Sequence, residues 1–201
     1  MTLSSAVLNG GLVIADHILN LRVAKNCEGK KGASEPSVVT LEKYSRMMGW
    51  KGVTVGMMTA ADAESFRNVK RVEQKVEVRA LVTAGITNAR RAGDPADCRD
   101  MGVSAPANGT INIIILTDAI LTPAAMVEAV SMVAEAKSAA LQNLDIRNPQ
   151  TGSLATGTGT DAVAIVSGRG PSKIRYCGKH TLFGEMLAAT VIEAITSSLQ
   201  R

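Results

Sequence analysis

Aromatic residues are nearly missing. One Trp, two Tyr and two Phe make up 2% of the 201 residues. Single-stranded nucleic acid is held largely by bases stacked on aromatic faces, so no nucleic-acid partner is expected. The formal net charge of +4 hints at an anionic partner, but Lys and Arg are scattered rather than run together. Cysteine is scarce as well: Cys27, Cys98 and Cys177 lie far apart and form neither a disulfide framework nor a CxxC metal pair. No uninterrupted apolar run approaches the roughly 20 residues that cross a bilayer. The opening MTLSSAVLNGG carries no basic n-region, which argues against a signal peptide. The expectation is a cytoplasmic protein with no membrane partner.

What is present belongs to a globular protein. The apolar fraction of 46% and charged fraction of 20% are ordinary for one, and 201 residues fit one domain, 1–201, with a substantial core. Asn9-Gly10-Gly11 between apolar runs predicts a hairpin over Leu3 to Val13. His17, among Ala15, Ile18 and Leu19, reads as a satisfied core or edge residue, and Asn26 to Pro36 as a loop. Ser34 to Met48 reads as a helix with Pro36 in its first turn and a stripe of Val38, Leu41, Tyr44 or Ser45, and Met48. Val53 to Thr59 is a strand, and Asp62 to Asn68 one or two helical turns. Val72 to Thr83 alternates, with Val72, Gln74, Val76, Val78 and Ala80 on one face, and reads as one half-buried strand. Pro95 to Asn108 is loop. Gly109 to Asp118, GTINIIILTD, is the most apolar strand and therefore central; its Asn112 needs a partner or a cavity. Thr122 caps a helix that starts with Pro123 and runs to about Leu144. Lys173 to Cys177 is a further strand, and Thr181 to Leu199 a last helix. The order of elements favours an α+β fold: a largely antiparallel sheet of about six or more strands, covered on one face by two long helices. A doubly wound α/β arrangement is the alternative.

The stretch with the most chemical content is TGSLATGTGTDAVAIVSG, Thr151 to Gly168. It joins a lip of small residues, Thr156-Gly157-Thr158-Gly159-Thr160, to a buried strand from Asp161 to Ser167. Glycine exposes backbone amides and threonine supplies hydroxyls, so a rigid strand carrying such a lip is a ligand-site design. A helix does not follow, so this is no phosphate-binding P-loop. Other candidates flank buried strand ends. Asn88, Arg90, Arg91 and Asp94 follow one strand, and Asp118 ends another. Lys137 lies on the apolar stripe of its helix, between Val133 and Leu141, and either snorkels to the rim or is directed into a cleft. His180 stands at the start of the last helix with Glu185 one turn in. The helix dipole favours a neutral, accepting imidazole there.

Four long segments, VTAGITNARRAGD (Val82 to Asp94), GTINIIILTDAILTPAAMVEAV (Gly109 to Val130), EAKSAALQNL (Glu135 to Leu144) and ATGTGTDAVAIVSG (Ala155 to Gly168), resemble the adenosylcobinamide amidohydrolase (CbiZ) family. LSSAVLNGG and GKHTLFGE fit the same pattern, so the resemblance covers nearly the whole chain. Departures fall in linking loops and at Cys177 and Leu182, where a small or polar residue is expected. The resemblance implies hydrolysis of the amide that joins aminopropanol to the corrin ring of adenosylcobinamide. It also implies no protein-bound cofactor, since the cobalt arrives within the corrinoid substrate. Corrin rings carry many amide arms, which suit a pocket of Thr, Asn and backbone amides. For the chemistry the residues offer His180 or a carboxylate (Asp118, Asp161 or Glu185) as base, Asp161 as orienting group, and Thr158 or Thr160 as alternative nucleophile. Asn88 or the amides at Gly157 and Gly159 are candidate oxyanion donors. Arg90, Arg91, Asp94, Asn112, Lys137, Thr156 and Thr158 complete the expected substrate surface. A non-catalytic corrinoid carrier and a self-processing threonine hydrolase are competing readings, and a homodimer through an apolar sheet edge is an open one.

Overall fold

In the computed structural model, residues 1–23, 35–97, 101 and 109–200 are described. The elements are β1 (Thr2–Ser4), β2 (Gly11–Val13), β3 (His17–Arg22), α1 (Ser37–Met47), β4 (Thr54–Thr59), β5 (Arg67–Glu73), β6 (Val76–Ala84), β7 (Ala89–Arg90), β8 (Ile111–Thr117), β9 (Ile120–Leu121), α2 (Pro123–Asn143), β10 (Gly157–Thr158), β11 (Ala162–Val166), β12 (Lys173–Ile174) and α3 (Leu182–Leu199). A short 3-10 turn, Ala63–Ser65, precedes β5. Most of the loops expected at 26–36 and 95–108, with Cys27 and Cys98, lie outside the described residues.

The main sheet has six strands in the order β2-β1-β11-β8-β6-β5. All its pairings are antiparallel except β11 with β8, which run parallel with Ala162 opposite Asn112 and Val166 opposite Leu116. The protein is thus α+β, with a mostly antiparallel sheet and three α-helices among the described residues, and the parallel pair is bridged by α2. On β8 the alternation of a strand sorts the side chains. Ile111, Ile113 and Ile115 enter the large core with Met126, Val133, Leu141, Leu187, Val191 and Ile195 from α2 and α3. Ile114 and Leu116 face the other way and pack with Val55 and Met57 of β4. There β3 and β4 form a separate parallel pair, with α1 outside it. Both faces of the central strand are therefore covered, one by helices and one by a second small sheet. This is why β8 is nearly continuously apolar.

The α2 reading matches to the residue. Thr122 accepts a hydrogen bond from Ala125 N (3.2 Å), Pro123 occupies the first turn, and Leu144 closes the helix. The last helix starts on a similar cap, with Thr181 accepting from Gly184 N. By length and composition α3 could cross a membrane, yet half of it is buried inside the protein, which makes it a core helix. The β1–β2 hairpin forms with Leu3 opposite Leu12, and Asn9 and Gly11 take positive φ (52° and 93°). The connection is longer than a two-residue turn because Leu8 leaves it to bridge Gly56 of β4. His17 is held as expected, its Nε2 2.9 Å from Lys51 O and its ring stacked on Trp50 at 4.9 Å.

Three expectations are corrected. Val72 to Thr83 is not one strand but the hairpin β5–β6, turning at Gln74 and Lys75 with φ of 46° and 64°. Val76, Val78, Ala80 and Val82 face the core, whereas Val72 stands on the exposed strand. Asp62 to Asn68 is a single 3-10 turn running into β5, not a longer helix. The helix expected from Ser34 begins at Ser37, with Pro36 as its cap, and of the stripe Leu41 alone is buried.

Candidate active site

β8 and β11 run parallel and in register, so their N-terminal ends meet at one edge of the sheet. Asp161 sits there, immediately before β11, and its carboxylate gathers four donors. Oδ1 accepts from Ile111 N (3.0 Å) and Thr158 Oγ1 (2.5 Å). Oδ2 accepts from Thr158 N (3.0 Å) and Lys137 Nζ. The side chains of Lys137 and Asp161 are 13% and 9% exposed, so this is a largely buried ion pair. Lys137 is directed inward onto this carboxylate and does not snorkel. The four donors occupy the carboxylate's acceptor positions and fix its orientation.

The lip closes over this pair. Gly157 and Thr158 form β10, which pairs with Arg90 and Ala89 of β7. A Cβ at Gly157 would stand 2.7 Å from Lys137 Nζ and also collide with Asp161 Oδ2, so a side chain here would have to push the ion pair aside. Thr156 Oγ1 accepts from Ala92 N (2.8 Å), and its carbonyl accepts from Ser138 Oγ (3.2 Å). Thr160 shares a 2.6 Å hydrogen bond with Thr110, and its hydroxyl, like that of Thr158, lies within reach of Gly109 O at 3.1 and 3.4 Å. Gly159 lies exposed between them. Beside the lip is a cleft of about 190 Å³ lined by residues that include Ala60, Ala61, Gly85, Ile86, Gly109 and Leu199.

The other candidates divide. Asn88 packs against Gly109, and both of its amide atoms are buried without a partner. Arg90 donates to Gln150 (2.7 Å) and pairs with Asp97, while Arg91 reaches Leu154 O (3.2 Å). Asp94 accepts from Asn148 Nδ2 (2.5 Å) and Arg91 N (3.0 Å), which hold its carboxyl below the usual range. These groups brace the loop beside the lip. Asn112, 1% exposed, points to the opposite face of β8. There it donates to Asn20 Oδ1 (2.8 Å) and Met58 O (2.9 Å), tying the central strand to the second sheet.

The structure does not bring Asp118, His180 and Glu185 to Asp161. Asp118 lies six residues beyond Asn112 along β8, about 20 Å away at the far end of the strand, where it accepts from Glu77 N (2.9 Å). His180 and Glu185 are exposed at the start of α3, and neither side chain has a hydrogen bond or ion pair among the described residues. Cys177 is buried, and desolvation, followed by the charge of Glu128, pushes its thiol up to about 12, which excludes a thiolate nucleophile at neutral pH. Thr110 and Asn20 were not singled out from the sequence. The available signal for Asn20 was a lone amide within HILNLR, the same anomaly that marked Asn112.

Fold and site together define an α+β protein in which one carboxylate holds an ammonium and a hydroxyl at the N-terminal ends of two parallel strands, the group types of hydrolytic enzymes. The chain belongs to the adenosylcobinamide amidohydrolase (CbiZ) family, whose sequence model matches residues 1–201, and is by family an amidohydrolase. It is 29% identical over 206 aligned residues to an adenosylcobinamide amidohydrolase of Methanosarcina mazei, covering 98% of this chain and 88% of that protein. It is 46% identical over 92 residues to an uncharacterized protein of Methanocaldococcus jannaschii. That match takes in 45% of this chain and only 36% of the other.

Proposed function

We propose that the protein hydrolyses the amide between the corrin side chain and aminopropanol of adenosylcobinamide, and that the released adenosylcobyric acid re-enters cobalamin synthesis in the cytoplasm. The observation that carries the site assignment is the Thr158 Oγ1 to Asp161 Oδ1 hydrogen bond of 2.5 Å, backed by Lys137 on the other carboxylate oxygen. In this reading Asp161 takes the hydroxyl proton as Oγ1 attacks the amide carbonyl, and backbone N–H groups at Gly159 and Thr160 receive the developing oxyanion. The carbon–nitrogen bond breaks, and the proton passes to the departing aminopropanol. Water then cleaves the threonine ester, giving the acid and restoring the hydroxyl. Lys137 keeps the carboxylate oriented and offsets its charge. The family supplies the substrate class, and the amide-rich corrin periphery matches a mouth built from Thr, Asn, Gly and backbone groups.

The test is chromatography of the products after adenosylcobinamide is incubated with chelator-treated protein and with its Thr158→Ala, Asp161→Asn and His180→Ala variants. The expected result is cobyric acid from the unmodified protein and a loss of at least about 10²-fold in the first two variants. Activity that survives in Thr158→Ala and disappears in His180→Ala would return the chemistry to the start of α3. Corrinoid binding with no aminopropanol released would describe a carrier instead.

A further inference from the structure

Three consecutive residues at the start of β8 each give one polar group to the lip. The Ile111 N–H holds Asp161 Oδ1 at 3.0 Å. The Gly109 carbonyl receives the Thr160 hydroxyl at 3.1 Å. Between them, Thr110 Oγ1 stands 2.6 Å from Thr160 Oγ1. The direction of that last bond follows by elimination. A threonine hydroxyl carries one proton, and a carbonyl only accepts, so the Thr160 proton is committed to Gly109 O. Thr110 is therefore the donor to Thr160.

The Thr110 hydroxyl has no packing role. The residue is 7% exposed, and valine would fill its place with the same β-branched shape. What threonine adds is one polar group, which is unfavourable in a buried position unless bonded, and its bond goes to the lip. Thr160 has no need of that bond for its own stability, because it is exposed and water can solvate its hydroxyl. What the bond does is fix Thr160. The Thr160 N–H points at Thr158 Oγ1 from 3.5 Å, too far for a good hydrogen bond to the resting hydroxyl. It is aimed instead at the place where negative charge collects once Thr158 attacks.

We infer that Thr110 is a positioning residue for the hydrolysis: its hydroxyl anchors Thr160 so that the Thr160 N–H stays aimed at the oxyanion formed at Thr158. This rests on the proposed Thr158 chemistry. Thr110 touches neither the nucleophile nor the scissile amide. Because Ile111 holds Asp161, the base and the oxyanion donor hang from adjacent residues of the central strand, and one peptide unit sets the spacing between their anchors. An interaction realised only in the transition state acts on kcat and leaves KM alone.

The experiment measures kcat and KM for aminopropanol release from adenosylcobinamide. The proteins compared are the unmodified one, Thr110→Val, Thr110→Ser, Thr160→Val and the Thr110→Val/Thr160→Val double variant. Thr110→Val should lower kcat by about 10-fold or more, with KM within about 2-fold and a melting temperature within about 2 °C of the unmodified protein. Thr110→Ser, which restores the hydroxyl, should recover most of the rate. The double variant should be no slower than Thr160→Val alone, because both changes break one anchor. An unchanged kcat in folded Thr110→Val overturns the inference. So does a loss that Thr110→Ser shares, or one that follows a fall in melting temperature, since either describes packing. Should Thr110→Val not fold, Thr160→Val at its exposed position must show the same division between kcat and KM, or the inference falls. In each of these cases Thr158→Ala still abolishes turnover. A Thr158→Ala protein as fast as the unmodified one, or an unmodified protein that releases no aminopropanol, instead removes the parent reading and this inference with it.

Discussion

Gly157 has an ion pair where a side chain would go. Gly157→Ala should separate Lys137 from Asp161, lowering amide hydrolysis by at least about 10²-fold while the fold persists by circular dichroism. The pair itself is buried enough for its two halves to depend on each other. Lys137→Met should lower the unfolding free energy in urea by about 3 kcal/mol, because it strands a charge. Lys137→Met combined with Asp161→Asn should cost clearly less than the sum of the two single changes. Cys177 gives a pH signature. Its thiol titrates near 8.5 when unfolded but is pushed up to about 12 in the fold, so between those values the native state holds a proton that the unfolded chain has released. This group therefore makes stability fall as pH rises through that window, by at most about 1.4 kcal/mol per unit. Denaturation midpoints at pH 7.5, 9 and 10 should show the slope in the unmodified protein and a shallower one in Cys177→Ala. At this scale the sequence showed which residues were chemically interesting but not which of them meet. Asp161, Thr158, Thr160 and Lys137 converge, because a parallel register and a helix crossing put them at one edge. Asp118 looks equivalent as the polar end of an apolar strand, yet it sits at the wrong end of that strand.

Among the elements, the β5–β6 hairpin is where strain and legibility meet. Gln74 and Lys75 both adopt positive φ, which suits Gly or Asn, so neither residue type announces a turn. The alternation of Val72, Val76 and Val78 therefore reads as one continuous strand. The same strain predicts that Lys75→Gly stabilises the protein by roughly 1 kcal/mol and raises its melting temperature by about 2–4 °C, measurable by calorimetry. Elements with strong local signals were legible to the residue: Thr122-Pro123 starts α2, and β8 is the central strand. β3 was not read as a strand, because its sequence HILNLR is short and its partner β4 lies beyond α1. No local pattern encodes a pairing of that span.

For the molecule as a whole, the two faces of the main sheet are unequal. α2 and α3 share the large core with it, whereas α1 attaches to the outside of the β3–β4 pair and buries Leu41 alone. Amide hydrogen exchange should accordingly be fastest in α1 among the three helices, with α2 and α3 opening only near the global unfolding free energy. Equal protection of all three would mean that α1 is held by more than its one buried leucine. The Asn20–Asn112–Met58 hydrogen bonds are the polar seam between the layers.

The pairing of Thr2 with Val166 has a consequence during synthesis. At roughly 5–20 residues per second, β1 leaves the ribosome on the order of ten to thirty seconds before its partner β11 is made. A two-stranded hairpin is marginal alone in water, so β1 and β2 wait unpaired while β8 and its neighbours are translated. The lip that precedes β11 is drawn into place only when that late strand docks between β1 and β8. The reactive edge of the protein is thus completed near the end of vectorial folding, and a nascent chain halted before Asp161 holds every wall of the cleft but Leu199 and lacks the carboxylate.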